Sequence, residues 1–424
     1  MISLPYAELV DRDRNIKGLK ILLDKDELSK LLDPYFKKIE LELLYIRYKP
    51  KTNCLINYRG KLDNKIYNLY AKAFRDKDNK INKFKDKFRN ENSQESIIAI
   101  EDYEIIISFF PYDYKLPSIK YLGRPQHEQI MLRKIFPSYP EFWNGDIQVL
   151  HYKPERRLIA KLDTKTNKNI VLRFYNENDY AKLAKIDNIM QSNMQVKLPK
   201  QIGANNELKI MAFEWLDGEI LLDIFRCDYN KSLKLSRDTG NALAQFHLQE
   251  LPYFKMIKSE INDELFNLVN QLNVINPTLY RKAERIFKFI SENLKSNSHV
   301  GLLHGDFHAK QIIVQEYDQM AFIDLDELRI GNPLIDIGNF ISHLKYWSLY
   351  NQVPKSWISK IIASFISGYR KTKKIASDHE INLYTSIGLL RLIHHPFRIC
   401  DNNWIEHTNQ LLNLINREIK TEVY

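Results

Sequence analysis

The run His304-Gly305-Asp306-Phe307-His308-Ala309-Lys310-Gln311 is followed, eighteen residues after its Asp, by Ile323-Asp324-Leu325-Asp326. These residue types at this spacing suit phosphoryl transfer. That chemistry asks little of a protein: a carboxylate that orients a hydroxyl and takes its proton, and oxygen ligands that hold Mg²⁺ against nucleotide phosphates. Asp306 fits the first task, and Gln311 with Asp324 fits the second.

The flanking residues say how such groups would be positioned. Val300, Leu302 and Leu303 precede the run and Ile312, Ile313 and Val314 follow it, so two short buried strands should bracket a polar loop. A further apolar run, Met320 to Ile323, would deliver Asp324 from a neighbouring strand across the turn Gln315 to Gln319. A metal would then sit between Gln311 and Asp324.

The segment resembles the aminoglycoside phosphotransferase and choline kinase superfamily, relatives of protein kinases. The pattern there is His-Gly-Asp, four residues, Asn, then a metal-binding Asp, Gly-Asp-Pro and a further Asp. The resemblance makes Asp306 the catalytic Asp, places Gln311 at the metal-binding Asn, and makes Asp324 the second metal ligand. Gly331-Asn332-Pro333 stands where Gly-Asp-Pro is expected, and Asp336 matches the structural Asp after it. Gln311 keeps a carbonyl oxygen but reaches one methylene further. Bacterial maltokinases and glucosamine kinases are similar in having Gln there. Around this core, His304 reads as a loop-shaping residue. His308 and Lys310 belong to the same loop, Lys310 either meeting the γ-phosphate or lying on the surface. Asp326 is a second ligand or, more in keeping with its place, a solvated turn residue.

An internal repeat organises the first half. Glu42 to Asp76 and Asp146 to Glu177 each contain Tyr-Lys-Pro after an alternating strand, then a second strand, a polar turn and a third strand. Each reads as a three-stranded antiparallel meander. The second copy runs on through a helical segment, Asp179 to Asn193, and a strand, Glu207 to Glu214, into Trp215-Leu216-Asp217-Gly218. This stretch resembles the family's hinge between lobes, which makes Glu214, Trp215 and Leu216 candidate nucleotide contacts. A helix over Leu233 to Leu248 follows. Kinase folds place a Lys on the third strand to bind phosphates. Here the first copy has Lys72 at that place, whereas the second has Arg173, with Lys161 on the adjacent strand as the other candidate. The second copy's first turn, Lys153 to Arg157, lacks glycines and offers Arg156 and Arg157 instead.

Toward the C-terminus, helical spacing is expected over Pro354 to Thr372, over Glu380 to Ile399, and around Leu411 to Ile415. By the resemblance these helices build the acceptor pocket. Arg391, His394, His395, Arg398, Asp401 and Trp404 are its candidates, none singled out.

Composition fits this picture. The chain of 424 residues is long enough for two or three domains. Cys54, Cys227 and Cys400 are too few and too scattered for a disulfide framework. The first residues lack a basic-then-apolar leader, and no apolar run reaches the length of a membrane span, so a cytoplasmic location is expected. The formal net charge is +10, with ten Lys and Arg against four Asp and Glu in residues 61–90. The alternating charges of Asp76 to Asn92 suit a solvated helix, and no nucleic-acid module accompanies them. Nucleic acid is therefore not an expected partner.

The expected architecture is α+β, with a bilobal protein-kinase-like fold preceded by an α/β cap that repeats part of the N-lobe. Its parts would be a cap over 1–145, an N-lobe and hinge over 146–218, and a helical C-lobe over 219–424. The expected activity is an ATP- and Mg²⁺-dependent kinase of a small hydroxylated molecule: a sugar, aminoglycoside or amino alcohol. A catalytically impaired pseudokinase, binding nucleotide or a partner, is the alternative. Oligomeric state is not legible.

Overall fold

A computed structural model describes the chain except residues 1–3, 37, 76–79, 83–96, 165–167, 185–195, 250–260, 295–299, 375–376 and 421–424. Most of the charged stretch Asp76 to Asn92, and the second half of the helix expected over Asp179 to Asn193, lie outside the described residues.

The repeat is larger than three strands. The first sheet contains β1 (Glu40–Lys49), β2 (Asn53–Leu62), β3 (Lys65–Phe74), β4 (Ile97–Ile100) and β5 (Ile105–Phe109), in the antiparallel order β1-β2-β3-β5-β4. The second contains β6 (Asp146–Lys153), β7 (Arg157–Asp163), β8 (Ile170–Tyr175), β9 (Gln201–Asn205) and β10 (Ile210–Glu214), in the same order, β6-β7-β8-β10-β9. Strand β9 was not expected, and the strand expected from Glu207 begins at Ile210. Asn205 accepts from the Leu208 N–H at 2.9 Å and Lys209 turns left-handed, which closes a β9–β10 hairpin where continuous strand was read.

The shared Tyr-Lys-Pro has a physical cause that lies outside both repeated strings. Asp13 accepts the Tyr48 hydroxyl at 2.6 Å and the Lys51 N–H at 2.7 Å. Asp113 accepts the Tyr152 hydroxyl at 2.8 Å and the Glu155 N–H at 2.7 Å. In both copies one buried Asp thus ties a strand to the turn after its Pro, and the residue after that Pro has positive φ. The second repeat therefore starts before residue 146. Its core confirms this in packing, since Leu116, Ile119, Met131, Leu132, Ile135 and Phe136 lie against Leu158, Leu172, Phe174 and Ile210 of the second sheet.

Period-two alternation decides what the second sheet presents. Leu158, Ala160 and Leu162 of β7, with Leu172 and Phe174 of β8, are fully buried on one face. Arg157, Ile159, Lys161, Val171 and Arg173 are consequently on the other.

Beyond β10 the chain is mainly helical: Leu221–Cys227, Tyr229–Phe246, Ile261–Ile275, Pro277–Asn293, Leu334–Asn351, Lys355–Thr372, Asp378–Arg391, His395–Arg398 and Trp404–Lys420. The single helix expected over Glu380 to Ile399 is broken at Leu392–His394, because Pro396 lacks the N–H that a continuing helix needs and sits instead in the first turn of the next one. Small strands hold the polar loop. They are β11 (Glu219–Ile220), β12 (Gly301–Leu303), β13 (Ile312–Val314), β14 (Met320–Phe322) and β15 (Arg329–Gly331), paired β11-β13-β14 and β12-β15. The hairpin expected across Gln315 to Gln319 joins β13 to β14. Among the described residues, no helix is long and apolar enough to cross a membrane.

Candidate active site

The loop between β12 and β13 is held from below by one carboxylate. Asp336, fully buried, accepts the His304 N–H at 2.7 Å and the Gly305 N–H at 2.9 Å, and bonds His247 Nε2 at 3.1 Å. Burial pushes its carboxyl up, but His247 and these donors more than offset that and hold it below the usual range. His304 accepts the Asp306 N–H on Nδ1 at 3.4 Å, so its proton is on Nε2 and goes to the Ile323 carbonyl at 2.9 Å. His304 thereby links the Asp306 loop to the strand end that carries Asp324.

Gly305 has φ of +87°, and a Cβ there would overlap the Glu327 carbonyl oxygen. Only glycine permits this crossing. Gly305→Ala should cost at least about 1–3 kcal/mol through backbone strain alone, read as a lower urea midpoint with an unchanged slope. A variant as stable as wild type would contradict the packing described.

Asp306 is half-exposed at the loop tip, its side chain 46% accessible, with His308 Nε2 at 3.8 Å. His308 stacks on His343, ring centroids 4.3 Å apart. Asp306, His308 and His343 bring donor atoms within 4.8 Å of one another. His308 Nδ1, however, accepts the Lys310 N–H at 3.3 Å, so Nε2 carries the proton and has no lone pair for a metal. Burial pushes both imidazoles down to about 3 from 6.5. Each folded-state value lies below its unfolded value, so the neutral rings favour folding above pH 6.5, and this is lost as pH falls from 6.5 toward 3. Unfolding free energy should therefore decline by about 1.4 kcal/mol per pH unit per histidine across that window. A His343→Phe variant with the same slope in denaturant titrations at each pH would refute this.

Asp324 lies across the loop from Asp306 at a left-handed φ of 64°, a conformation that persists only where its surroundings over-determine it. Here they do. Arg157 Nη1 and Nη2 donate to Oδ1 at 2.7 Å and Oδ2 at 2.9 Å, Arg173 donates to Oδ1, and Gln311 Nε2 donates to Oδ2 at 3.1 Å. Burial alone would raise the Asp324 carboxyl, but Arg173 and Arg157 hold it far below the usual range. Asp326 accepts from Arg173 at 2.8 Å and from Arg157 at 2.7 Å. It is therefore not the solvated turn residue that sequence reasoning favoured: a four-charge cluster fixes it.

Arg173 and Lys72 prove to be register equivalents. Arg173 stands opposite Ile159 and Lys72 opposite Leu55, each four places after the positive-φ residue that follows the Pro, Glu155 and Lys51. Lys72 is not idle. Its Nζ bonds the Glu155 carboxylate at 2.6 and 2.8 Å, and Arg47 bonds the same carboxylate at 2.9 Å. The third-strand lysine of the first sheet therefore grips the β6–β7 turn of the second. Lys161 pairs with Asp163 and lies 5.1 Å above the Trp215 ring, away from the Asp324 cluster.

Between the second sheet and the β13–β14 hairpin lies a cavity of about 710 Å³. Leu150, Ile159, Val171, Met211, Phe213 and Ile313 give it apolar walls, Glu214, Trp215 and Leu216 one edge, and Arg173, Gln311, Asp324 and Asp326 a polar end. An apolar slot ending in charged and amide groups can take a flat ring with a polyanionic tail. Sequence reasoning missed His343, although it lies two helical turns after Asp336 on the same face. It mentioned Arg157 only as a phosphate contact and gave no role to Glu155, the one acid in the turn. Of the six acceptor-pocket candidates, four are committed elsewhere: Arg391 to Glu264 at 2.7 Å, the His394 ring to the Leu268 carbonyl at 2.7 Å, Asp401 to His407 and Tyr350, and Trp404 to the core.

Comparison with known proteins agrees with the family resemblance. A model of the phosphotransferase enzyme family matches residues 160–375. The chain belongs to that family, within the aminoglycoside phosphotransferase and choline kinase superfamily. No curated protein matches it. Among solved structures, it is similar to a thermostable mutant of an aminoglycoside phosphotransferase in ternary complex with ADP and hygromycin B, at 13% identity and a TM-score of 0.50, over 70% of this chain and 99% of that one. An ethanolamine kinase of Plasmodium vivax aligns at 14% identity and a TM-score of 0.49, over 72% and 93%. A macrolide 2′-phosphotransferase of Brachybacterium faecium aligns at 14% and 0.44, over 63% and 92%.

Proposed function

We propose that the protein moves the γ-phosphate of ATP to a hydroxyl of a small molecule, with Asp306 as the base. The observation that carries this reading is the contact of Gln311 with Asp324 at the polar end of an apolar slot, with Asp306 half-exposed on the same loop as Gln311. The second sheet with the hinge at Glu214 to Leu216 acts as the N-lobe, the chain from 219 as the C-lobe, and the first sheet as a cap. Ile159, Val171 and Ile313 beside the hinge would hold the adenine ring, and Arg173 and Arg157 the phosphates.

The donors available to a divalent cation, the Asp324 carboxylate and the Gln311 amide oxygen, are hard oxygens on residues already bonded to each other at 3.1 Å, a set that suits Mg²⁺. When bound, Mg²⁺ supplies neutralisation of the phosphate oxygens. Asp306 orients the acceptor hydroxyl and takes its proton. Its half-exposed position leaves room for that hydroxyl. Arg173 and Arg157, bonded to the two aspartates in this structure, would offer the phosphates planar forks that match the oxygen geometry. Of the two candidates for the phosphates this reading takes Arg173 over Lys161, which pairs with Asp163 beside Trp215.

Thermal shift with MgATP tests the reading. Millimolar MgATP should raise Tm by a margin that grows with the logarithm of ligand concentration, and Asp324→Asn should remove most of the ligand-dependent shift. Absence of any shift in the wild-type protein would sink the proposal. A pseudokinase reading draws on the saturation of Asp324 by two arginines. It predicts nucleotide binding with no ADP release under any acceptor, in a cytoplasmic protein kept for its surface.

A further inference from the structure

Resting on the phosphotransferase reading, we propose that the acceptor carries an anionic group, held by Lys310, His395 and Arg398 while its hydroxyl faces Asp306. The short helix His395–Arg398 reaches the Asp306 loop through the helix Leu334–Asn351: His395 bonds the Tyr346 hydroxyl at 2.9 Å, one turn after His343, which stacks on His308 with donor atoms within 4.8 Å of those of Asp306. Lys310 belongs to that same loop, and Lys153 and Arg156 to the β6–β7 turn. The charged groups close enough to act on His395 are Lys310, Arg398 and Lys153, all cations. The ionisable groups acting on Arg398 are Tyr45 and Arg156, neither of them a carboxylate.

Lys153 and Arg398 are half-buried, and among the described residues neither has an ion-pair partner. Burial holds both below their ordinary ranges, the mark of a charge that has lost water without gaining a counter-ion. The nearby acid of the same helix-end region, Asp401, is already taken by His407 at 2.5 Å, Tyr350 at 3.1 Å and the Asn403 N–H at 2.8 Å. His395 uses Nδ1 on the Tyr346 hydroxyl at 2.9 Å, which leaves Nε2 for a ligand, and Tyr346 with Tyr350 forms an aromatic wall, centroids 4.5 Å apart.

A like-charged group of cations drawn from three elements is costly to assemble, and an anion placed among them reverses the sign of that cost. The carboxylates that do face the region, Asp306 and Asp324, act on Lys153 rather than on Arg398. A cationic acceptor such as an amino alcohol or aminoglycoside would meet repulsion here. A hydroxylated phosphate or carboxylate would meet two cations and an imidazole, with charge-assisted hydrogen bonds to each.

The test uses the full chain and inorganic phosphate as probe, titrated by calorimetry with and without saturating AMP-PNP and Mg²⁺. Wild type should bind phosphate in the nucleotide-loaded state, and Arg398→Gln should weaken that binding by about tenfold or more while AMP-PNP affinity stays within about twofold. Arg398→Gln should also keep or raise Tm, because it removes a desolvated charge without a partner. No phosphate binding by the loaded protein, equal binding by the variant, or an equal loss of AMP-PNP affinity would each overturn the proposal, the last by assigning the cluster to nucleotide. Failure of AMP-PNP itself to bind would instead overturn the phosphotransferase reading, and the nucleotide-free phosphate titration would still report on the cluster. ADP release with glucose, gluconate, glucose 6-phosphate and ethanolamine gives the second arm. Turnover of glucose 6-phosphate above glucose indicates a phosphate, turnover of gluconate above glucose a carboxylate, and faster turnover of glucose or ethanolamine than of either anion refutes the inference.

Discussion

Asp306→Asn should lower ADP release by about 10²–10⁴-fold, the usual contribution of a positioned general base, and leave MgATP binding intact. The change is isosteric, and the side chain it alters is half-exposed, with the neutral His308 ring at 3.8 Å. Folding should therefore be indifferent to it. The loop itself hangs on backbone donors to Asp336 and on His304, none of which the substitution touches. Steady-state rates paired with a nucleotide thermal shift make the measurement. A variant that keeps full turnover would remove Asp306 from the reaction, and one that loses nucleotide binding in step with turnover would show a structural role instead.

Glu155→Gln should destabilise the protein by about 3–5 kcal/mol, the cost of leaving a buried charge without its partner. Glu155 is 4% exposed and serves Lys72, Arg47 and, at 3.6 Å, Lys115. Burial alone would raise its carboxyl, but Lys72 more than offsets this and holds it low. The glutamine cannot neutralise any of the three cations. Because Glu155 sits at positive φ with its N–H on Asp113, releasing its side chain also frees the turn that carries Lys153, Arg156 and Arg157. The KM for MgATP should rise with the loss of stability. The double variant Lys72→Met, Glu155→Gln removes both charges of the tightest pair and should recover most of the lost stability in urea unfolding. Recovery of stability without recovery of KM would assign the turn's position to the ion pair itself. Full stability in the single variant would show that the pair contributes nothing.

Much of the site was legible because phosphoryl transfer uses few groups at short sequence separation. Asp306, Gln311 and Asp324 lie within one loop and the hairpin that follows it, so local alternation of apolar residues was enough to expect them near one another, and Gln311 meets Asp324 at the polar end of the cavity. Tyr-Lys-Pro likewise marked both repeats, since a strand and its turn are neighbours in sequence. Asp13 and Asp113, which explain that tripeptide, are 35 and 39 residues from the tyrosines they hold, too far for any periodicity to connect. Helix boundaries failed where a single residue outweighed the pattern, as at Pro396, or where a turn interrupted a strand, as at Lys209.

The chain's own order of residues determined the family, the polar loop from His304 to Gln311 and the existence of two copies of a sheet, because each is written in contacts a few residues apart. Tertiary structure alone decided how the copies divide their work. Lys72 and Arg173 hold equivalent positions in two similar strands, and nothing local distinguishes their tasks. Packing does: it sets Glu155 against Lys72 across 83 residues and Asp324 against Arg173 across 151. A charge takes its role from whichever opposite charge the fold buries beside it, and among the described residues Arg398 has none.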